Sequence, residues 1–173
     1  TLMPCNLYGP YDNFNTKNSH FIPALIKKFI EAKRKKKKQV EIWGSGQPKR
    51  EVMHVDDLAD AIGYLLQLKV NNHKKLMNFI KSDSLINIGS GQEFKIKKFA
   101  EIIKEITFSR KKLKFNKKLP DGTKRKVLDI SIIKKLGWRS KIKLTDGLRS
   151  TINWYKYFSK CTRCKRCGRN ITN

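Results

Sequence analysis

The chain has 173 residues, 39% hydrophobic and 10% aromatic, enough for a domain with a real core and too apolar for a disordered polymer. Forty Lys and Arg against fourteen Asp and Glu give a formal charge of +26, which attracts polyanions over long range. No apolar run approaches the roughly 20 residues of a membrane helix, and Thr1-Leu2-Met3-Pro4 reads like the middle of a strand rather than a signal peptide. A soluble, cytoplasmic protein is the default expectation.

The opening segment reads as a strand that ends in a turn at Gly9-Pro10, followed by a polar loop over 11–19. Ile22, Leu25, Ile26, Phe29 and Ile30 recur at i, i+3, i+4, i+7 and i+8, the stripe of an amphipathic helix, and Pro23 suits its first turn. The basic run 33–38 closes or follows that helix, where the dipole favours cations. Val40, Ile42 and Trp43 predict a short strand stopped by Gly44-Ser45-Gly46, and 51–55 predicts another. Asp56 and Asp57 then open a helix that turns Leu58, Ala61, Ile62, Leu65 and Leu66 inward.

A loose basic stretch, 71–82, precedes a strand over 85–88 that ends at Gly89-Ser90-Gly91. Ile96, Phe99, Ala100, Ile103 and Ile106 mark the next helical face. A short strand over 113–115, a turn on Pro120-Asp121-Gly122 and a short helix over 130–136 closed by Gly137 come next. Thr145 is expected to cap a last helix bearing Leu148, Ile152 and Tyr155. Strands alternate with helices and no repeat is visible, so the fold class is α/β.

The lysines are scattered through nearly every segment and outnumber the arginines, with no pattern of interleaved aromatic and basic residues. The charge therefore reads as solvated faces, and nucleic acid as a non-specific partner only. Cys5 stands alone, while Cys161, Cys164 and Cys167 share two CxxC steps among arginines and lysines. Zinc asks for four ligands and no His follows His73, so no metal site is expected and the tail reads as an oxidisable basic extension.

Several stretches, taken in order, resemble one family. They are Asn6-Leu7-Tyr8-Gly9-Pro10, then Asp12-Asn13-Phe14 with Asn18-Ser19-His20 before Ile22-Pro23-Ala24-Leu25, then Trp43-Gly44-Ser45-Gly46 with Arg50-Glu51 and the run opened by His54-Val55-Asp56-Asp57. Ile86-Asn87-Ile88-Gly89-Ser90-Gly91 and Pro120-Asp121-Gly122-Thr123 complete the set. From about residue 2 to 157 the sequence resembles GDP-L-fucose synthases, among the extended short-chain dehydrogenases.

That resemblance implies the last strands of a Rossmann-type parallel sheet plus a small α/β substrate-binding domain. Residues 1–16 would end a cofactor-domain strand and its loop, and 17–157 would form mainly the substrate domain. A strand near 85–89 would return to the Rossmann sheet, and 158–173 would be a basic, Cys-rich tail. It also implies NADP(H) as cofactor and homodimers as the family's assembly. The implied reaction epimerises GDP-4-keto-6-deoxy-mannose at C3 and C5, then reduces the C4 ketone to GDP-fucose.

The site follows residue by residue. Pro4, Cys5, Asn6 and Leu7 match the strand end beside the nicotinamide, where backbone groups and an Asn amide orient a carboxamide. His20 matches the family's acid–base histidine near the cofactor, and imidazole suits proton removal next to a ketone. Lys28, Trp43, Arg50 and Asp121 match positions that contact the GDP-sugar, as cations for a diphosphate, an aromatic wall and a hydroxyl acceptor. Plainer roles stand beside these: a strand end for Asn6, a helix cap or surface residue for His20, core packing for Trp43 and a surface ion pair with Glu51 for Arg50.

The 173 residues contain no Gly-rich dinucleotide loop after a strand and no Tyr-x-x-x-Lys pair ahead of the first strand. Nor do they contain the earlier cysteine that partners the family's histidine. By itself this polypeptide is expected neither to hold NADP tightly nor to reduce a ketone. A separate amino-terminal half would complete it.

Overall fold

The computed structural model describes residues 1–15, 18–68, 74 and 85–158. The three tail cysteines and most of the basic stretch at 71–82 lie outside the described residues.

The opening segment forms two short strands in line, β1 (Leu2–Pro4) and β2 (Asn6–Tyr8). β1 pairs in parallel with β5 (Ile86–Ile88), in the register Leu2↔Ile86 and Pro4↔Ile88. The Cys5 N–H extends that ladder to the Ile88 carbonyl at 2.8 Å. β2 pairs in parallel with β4 (Lys49–His54), in the register Asn6↔Val52 and Tyr8↔His54. A single extended strand was expected; instead one extended run serves two ladders in succession.

β4 continues into an antiparallel pairing with β6 (Glu93–Lys95) and a short parallel one with β8 (Arg125–Lys126). Separately, β3 (Gln39–Trp43) pairs in parallel with β7 (Lys112–Asn116). The helices are α1 (Phe21–Arg34), α2 (Val55–Leu66), α3 (Ile96–Ile106), α4 (Ser131–Lys135) and α5 (Leu144–Phe158). Thr145 sits inside the first turn of α5, because that helix begins two residues earlier than its capping chemistry suggests. Among the described residues no helix is long and apolar enough to cross a membrane.

Two hydrophobic cores form on opposite faces of the β2–β4 ladder. Ile22, Ile26 and Phe29 of α1, Val40 and Ile42 of β3, Phe99 and Ile103 of α3, and Leu148 and Ile152 of α5 build the first, with Tyr8 and Val52. Met53, Ala61, Ile86, Ile88, Ile133 and Trp138 build the second, with Cys5. Burying each large side chain contributes about 2–3 kcal/mol. Strand alternation assigns the faces. Arg50, Val52 and His54 share the first core's face with Asn6 and Tyr8, whereas Glu51 and Met53 share the second core's face with Leu7.

Two buried acids tie the loops to this frame. Glu51 is 1% exposed, and its carboxylate accepts the Gly91 N–H at 2.7 Å and the Leu128 N–H at 2.9 Å. The expected surface pair between Arg50 and Glu51 does not form, because adjacent strand residues face opposite ways. Asp57, 2% exposed, accepts from the Ser140 hydroxyl at 2.6 Å and from the Lys141 and Ile142 N–H groups. His54 caps α2, its Nδ1 accepting the Asp56 N–H at 3.2 Å. That nitrogen therefore carries no proton, and its 3.5 Å approach to the Asp56 carboxylate is no ion pair. Burial lowers the His54 pKa more than Asp56 and Asp57 raise it, which favours the neutral ring.

Candidate functional site

Two groups of side chains gather the residues that the sequence singled out. The first surrounds an open cavity of about 480 Å3 at the end of β2, lined by Cys5, Asn6, Leu7, Tyr8, Asp12 and His20 among others. Pro4 is the exception: it is exposed on β1 and does not line the cavity.

His20 stands at the amino end of α1 with extended backbone, φ −65° and ψ 166°, and its side chain makes no capping hydrogen bond. His20 thus occupies the capping position without its ring capping the helix, and the exposed imidazole borders the cavity. Burial, reinforced by the Glu51 charge, pushes the Cys5 thiol up to about 12. Burial does the same to the Tyr8 phenol, with Asp57 and Asp146 adding to it. Both groups are neutral at pH 7. Iodoacetamide at pH 8 is therefore expected to spare Cys5 in the folded chain and to modify it after denaturation, read by peptide mass mapping. Rapid native labelling of Cys5 would contradict the buried, protonated thiol.

The second group joins residues far apart in sequence. The Lys28 ammonium lies 4.9 Å from the centroid of the Trp43 ring, a cation–π contact. Trp43 is 63% exposed at the end of β3, so core packing does not explain it. Burial lowers the Lys28 pKa, with Glu41 offsetting part of that shift. Beyond Trp43 the chain reverses through Gly44 at φ 77°, where a side chain would also collide with the Asp121 carboxylate. Asp121 accepts the Ser45 N–H at 2.5 Å and the Ser45 hydroxyl at 2.6 Å. Those two bonds hold its carboxyl below the usual carboxylate range.

Arg50 completes this group. Its Nη1 donates to the Thr123 carbonyl at 2.6 Å and to the Lys49 carbonyl at 2.8 Å, holding the turn that contains Asp121. Its Nη2 is turned toward Gly122, 3.6 Å from where a Cβ on that residue would sit. Lys28 touches Trp43, Ser45 two residues further on bonds Asp121, and Arg50 bonds the Thr123 carbonyl two residues beyond Asp121, so the four are linked through short stretches of backbone. Arg50 also shares a strand face with Asn6, which relates the two groups through the β2–β4 register.

Sequence reasoning passed over two residues here. Asp12 lines the cavity with His20, although it entered the analysis only as part of a motif. Ser45 supplies both bonds that set Asp121, although its only sequence signal was a place between two glycines. Among the described residues no group of three or more His, Cys, Asp or Glu side chains is placed to hold a metal ion.

A model of the "NAD dependent epimerase/dehydratase family" matches residues 1–80. With its parallel ladders and a strand-end cavity, the chain resembles that family over this stretch and has the α/β fold of the extended short-chain dehydrogenases. Among curated relatives, GDP-L-fucose synthase 1 of Arabidopsis thaliana is 46% identical over 153 residues, 88% of this chain and 44% of the relative. GDP-L-fucose synthase of Escherichia coli (strain K12) is 41% identical over 155 residues, 90% of this chain and 48% of the relative. The crystal structure of a GDP-D-glycero-L-gluco-heptose synthase from Campylobacter jejuni, in the presence of NADPH, superposes with TM-score 0.76 at 35% identity. That match covers 90% of this chain and 52% of the other. The chain spans less than half the length of the curated relatives it matches.

Proposed function

We propose that this chain forms the GDP-sugar-holding part of an NADP(H)-dependent GDP-L-fucose synthase acting on GDP-4-keto-6-deoxy-mannose. The observation that carries the reading is the Lys28–Trp43 contact, with the Ser45–Asp121 and Arg50–Thr123 bonds tying the adjoining turns to it. In this reading Lys28 and Arg50 neutralise the diphosphate, the exposed Trp43 ring supplies a flat wall, and Asp121 accepts sugar or ribose hydroxyls. Residues 1–16 belong to the cofactor side, and 17–157 mainly to the sugar side.

The cavity at the end of β2 suits a nicotinamide: it offers a neutral thiol, the Asn6 amide and Leu7 on a parallel strand end. When bound, NADPH supplies the hydride that reduces the C4 ketone. His20 takes a proton from the carbon beside the ketone and returns one during epimerisation. The phosphate-binding loop and the Tyr-Lys pair would come from an amino-terminal half, whether joined to this chain or separate.

Isothermal titration of the 173-residue chain is expected to detect GDP-fucose and GDP but not ADP, with affinity persisting at moderate salt. NADPH oxidation with the keto-sugar is expected to stay at the level of a heat-killed control. Turnover above that control would refute the division of labour, and equal binding of GDP and ADP would refute the sugar-nucleotide site.

A second reading, a basic module for polyanions, draws on one feature. The run 33–38 meets β7 where the Lys112 N–H bonds the Lys38 carbonyl at 3.3 Å, gathering cations at one end of the β3–β7 ladder. Binding by that surface should collapse between low and moderate salt and ignore the base.

A further inference from the structure

The cavity beside β2 brings four titratable side chains around His20: Cys5, Tyr8, Tyr11 and Asp12. Cys5 and Tyr8 are neutral. Tyr11 is 61% exposed, and its ring packs against Trp154 with centroids 5.0 Å apart. Asp12 is then the one carboxylate among the described lining residues. We infer that Asp12 is the positioning residue of His20: it faces the same cavity, and its carboxylate charge favours the imidazole there and stabilises the ring when it takes up a proton. The inference rests on the reading of His20 as the group that moves the proton.

The loop between the two residues is built to fix them. Asp12 Oδ1 accepts the Asn13 N–H at 2.7 Å, Asn13 Oδ1 accepts the Asn15 N–H at 2.9 Å, and the Asn15 carbonyl accepts the Ser19 N–H at 2.9 Å. Phe14 stacks on Tyr155 at 4.1 Å between centroids, pinning the loop to α5. With Oδ1 engaged, Asp12 Oδ2 is buried and has no hydrogen-bond partner among the described residues. A buried carboxylate oxygen without a donor is costly, and a nearby cationic imidazole relieves that cost. Burial raises the Asp12 carboxyl, while the Asn13 N–H and the His20 charge draw it back down.

The chemistry follows. As the C–H bond beside the ketone breaks, its electron pair moves into the enolate and the proton goes to the His20 imidazole. Asp12 neither gains nor loses a proton; its charge offsets the new positive charge of the ring until the return step.

The test is a proton NMR titration of the His20 ring in the 173-residue chain and in Asp12→Asn, with the buried His54 as internal reference. In Asp12→Asn the His20 midpoint is expected to fall, while His54 stays put. The reciprocal variant His20→Gln reads the same coupling without altering Asp12. There the Asp12 carboxyl midpoint, followed by carbon-13 NMR, is expected to rise. Unchanged midpoints in both variants would overturn the assignment. If the midpoints move but GDP-sugars fail to bind, the pairing stands and the substrate reading falls. If GDP-sugars bind and the midpoints do not move, Asp12 alone is wrongly assigned.

Discussion

Replacing Glu51 by Ala is expected to destabilise the chain by about 2–4 kcal/mol, although the residue sits next to an arginine in a segment that looks like surface. Its carboxylate is the acceptor for the Gly91 and Leu128 N–H groups, and it lies beneath Gly89, where a Cβ would strike it. Removing it leaves two partly buried donors without acceptors, at about 1–3 kcal/mol each, and opens a void over the second core. Glu51→Gln keeps one acceptor but turns an amide N–H toward the other donor, so it should recover less than half of the loss. Urea unfolding followed by circular dichroism reads this as a lower midpoint at unchanged slope. A loss below about 0.5 kcal/mol for Glu51→Ala would mean that these two bonds do not hold the loops.

The second large effect is on binding. Arg50→Ala is expected to weaken GDP-fucose binding by about 10–100-fold, because a charge-assisted contact to phosphate is worth roughly 1.5–3 kcal/mol. Part of that loss is indirect. The guanidinium also holds the Thr123 carbonyl, so its removal loosens the turn that presents Asp121. Arg50→Lys keeps the charge and gives up the fork, and should fall between the two. Titrating the same variants with GDP and with GDP-fucose separates these causes. A phosphate contact weakens both ligands alike, whereas a loosened turn penalises the one that uses Asp121. Wild-type affinity in Arg50→Ala would remove Arg50 from the site.

Helices α1, α3 and α5 were legible because apolar residues at 3.6-residue spacing mark one buried face; Ile22 to Ile30 of α1 and Phe99 to Ile106 of α3 are buried as their spacing predicts. In α2 the expectation fails in part: Ile62 and Leu66, expected to turn inward, are 40% and 79% exposed. The short strands were less so. β6 has three residues and β8 only two, too short to show alternation, and both are set by pairing with β4. Nothing local shows that the opening run changes partners at Cys5, because that depends on chain more than forty residues away. Glu51 was misjudged because a charged pair in sequence resembles a surface pair, whereas strand alternation separates its members. The residues expected around the cavity and around Trp43 were named from motif order, and their grouping reflects loops and strand ends that only the tertiary fold brings together. Asp12 escaped because its significance lies in an oxygen left without a donor, which no pattern of residue types encodes.

The two ladders served by the opening run make its length a matter of parity. Cys5 and Leu7 turn toward one core, Asn6 and Tyr8 toward the other, and Cys5 is the only residue between the two pairings. Deleting or inserting one residue there would exchange the two sets, sending Tyr8 toward the second core and Leu7 toward the first. Only changes in steps of two keep the pattern, so over these seven positions drift by substitution is far easier to tolerate than drift by single-codon gain or loss.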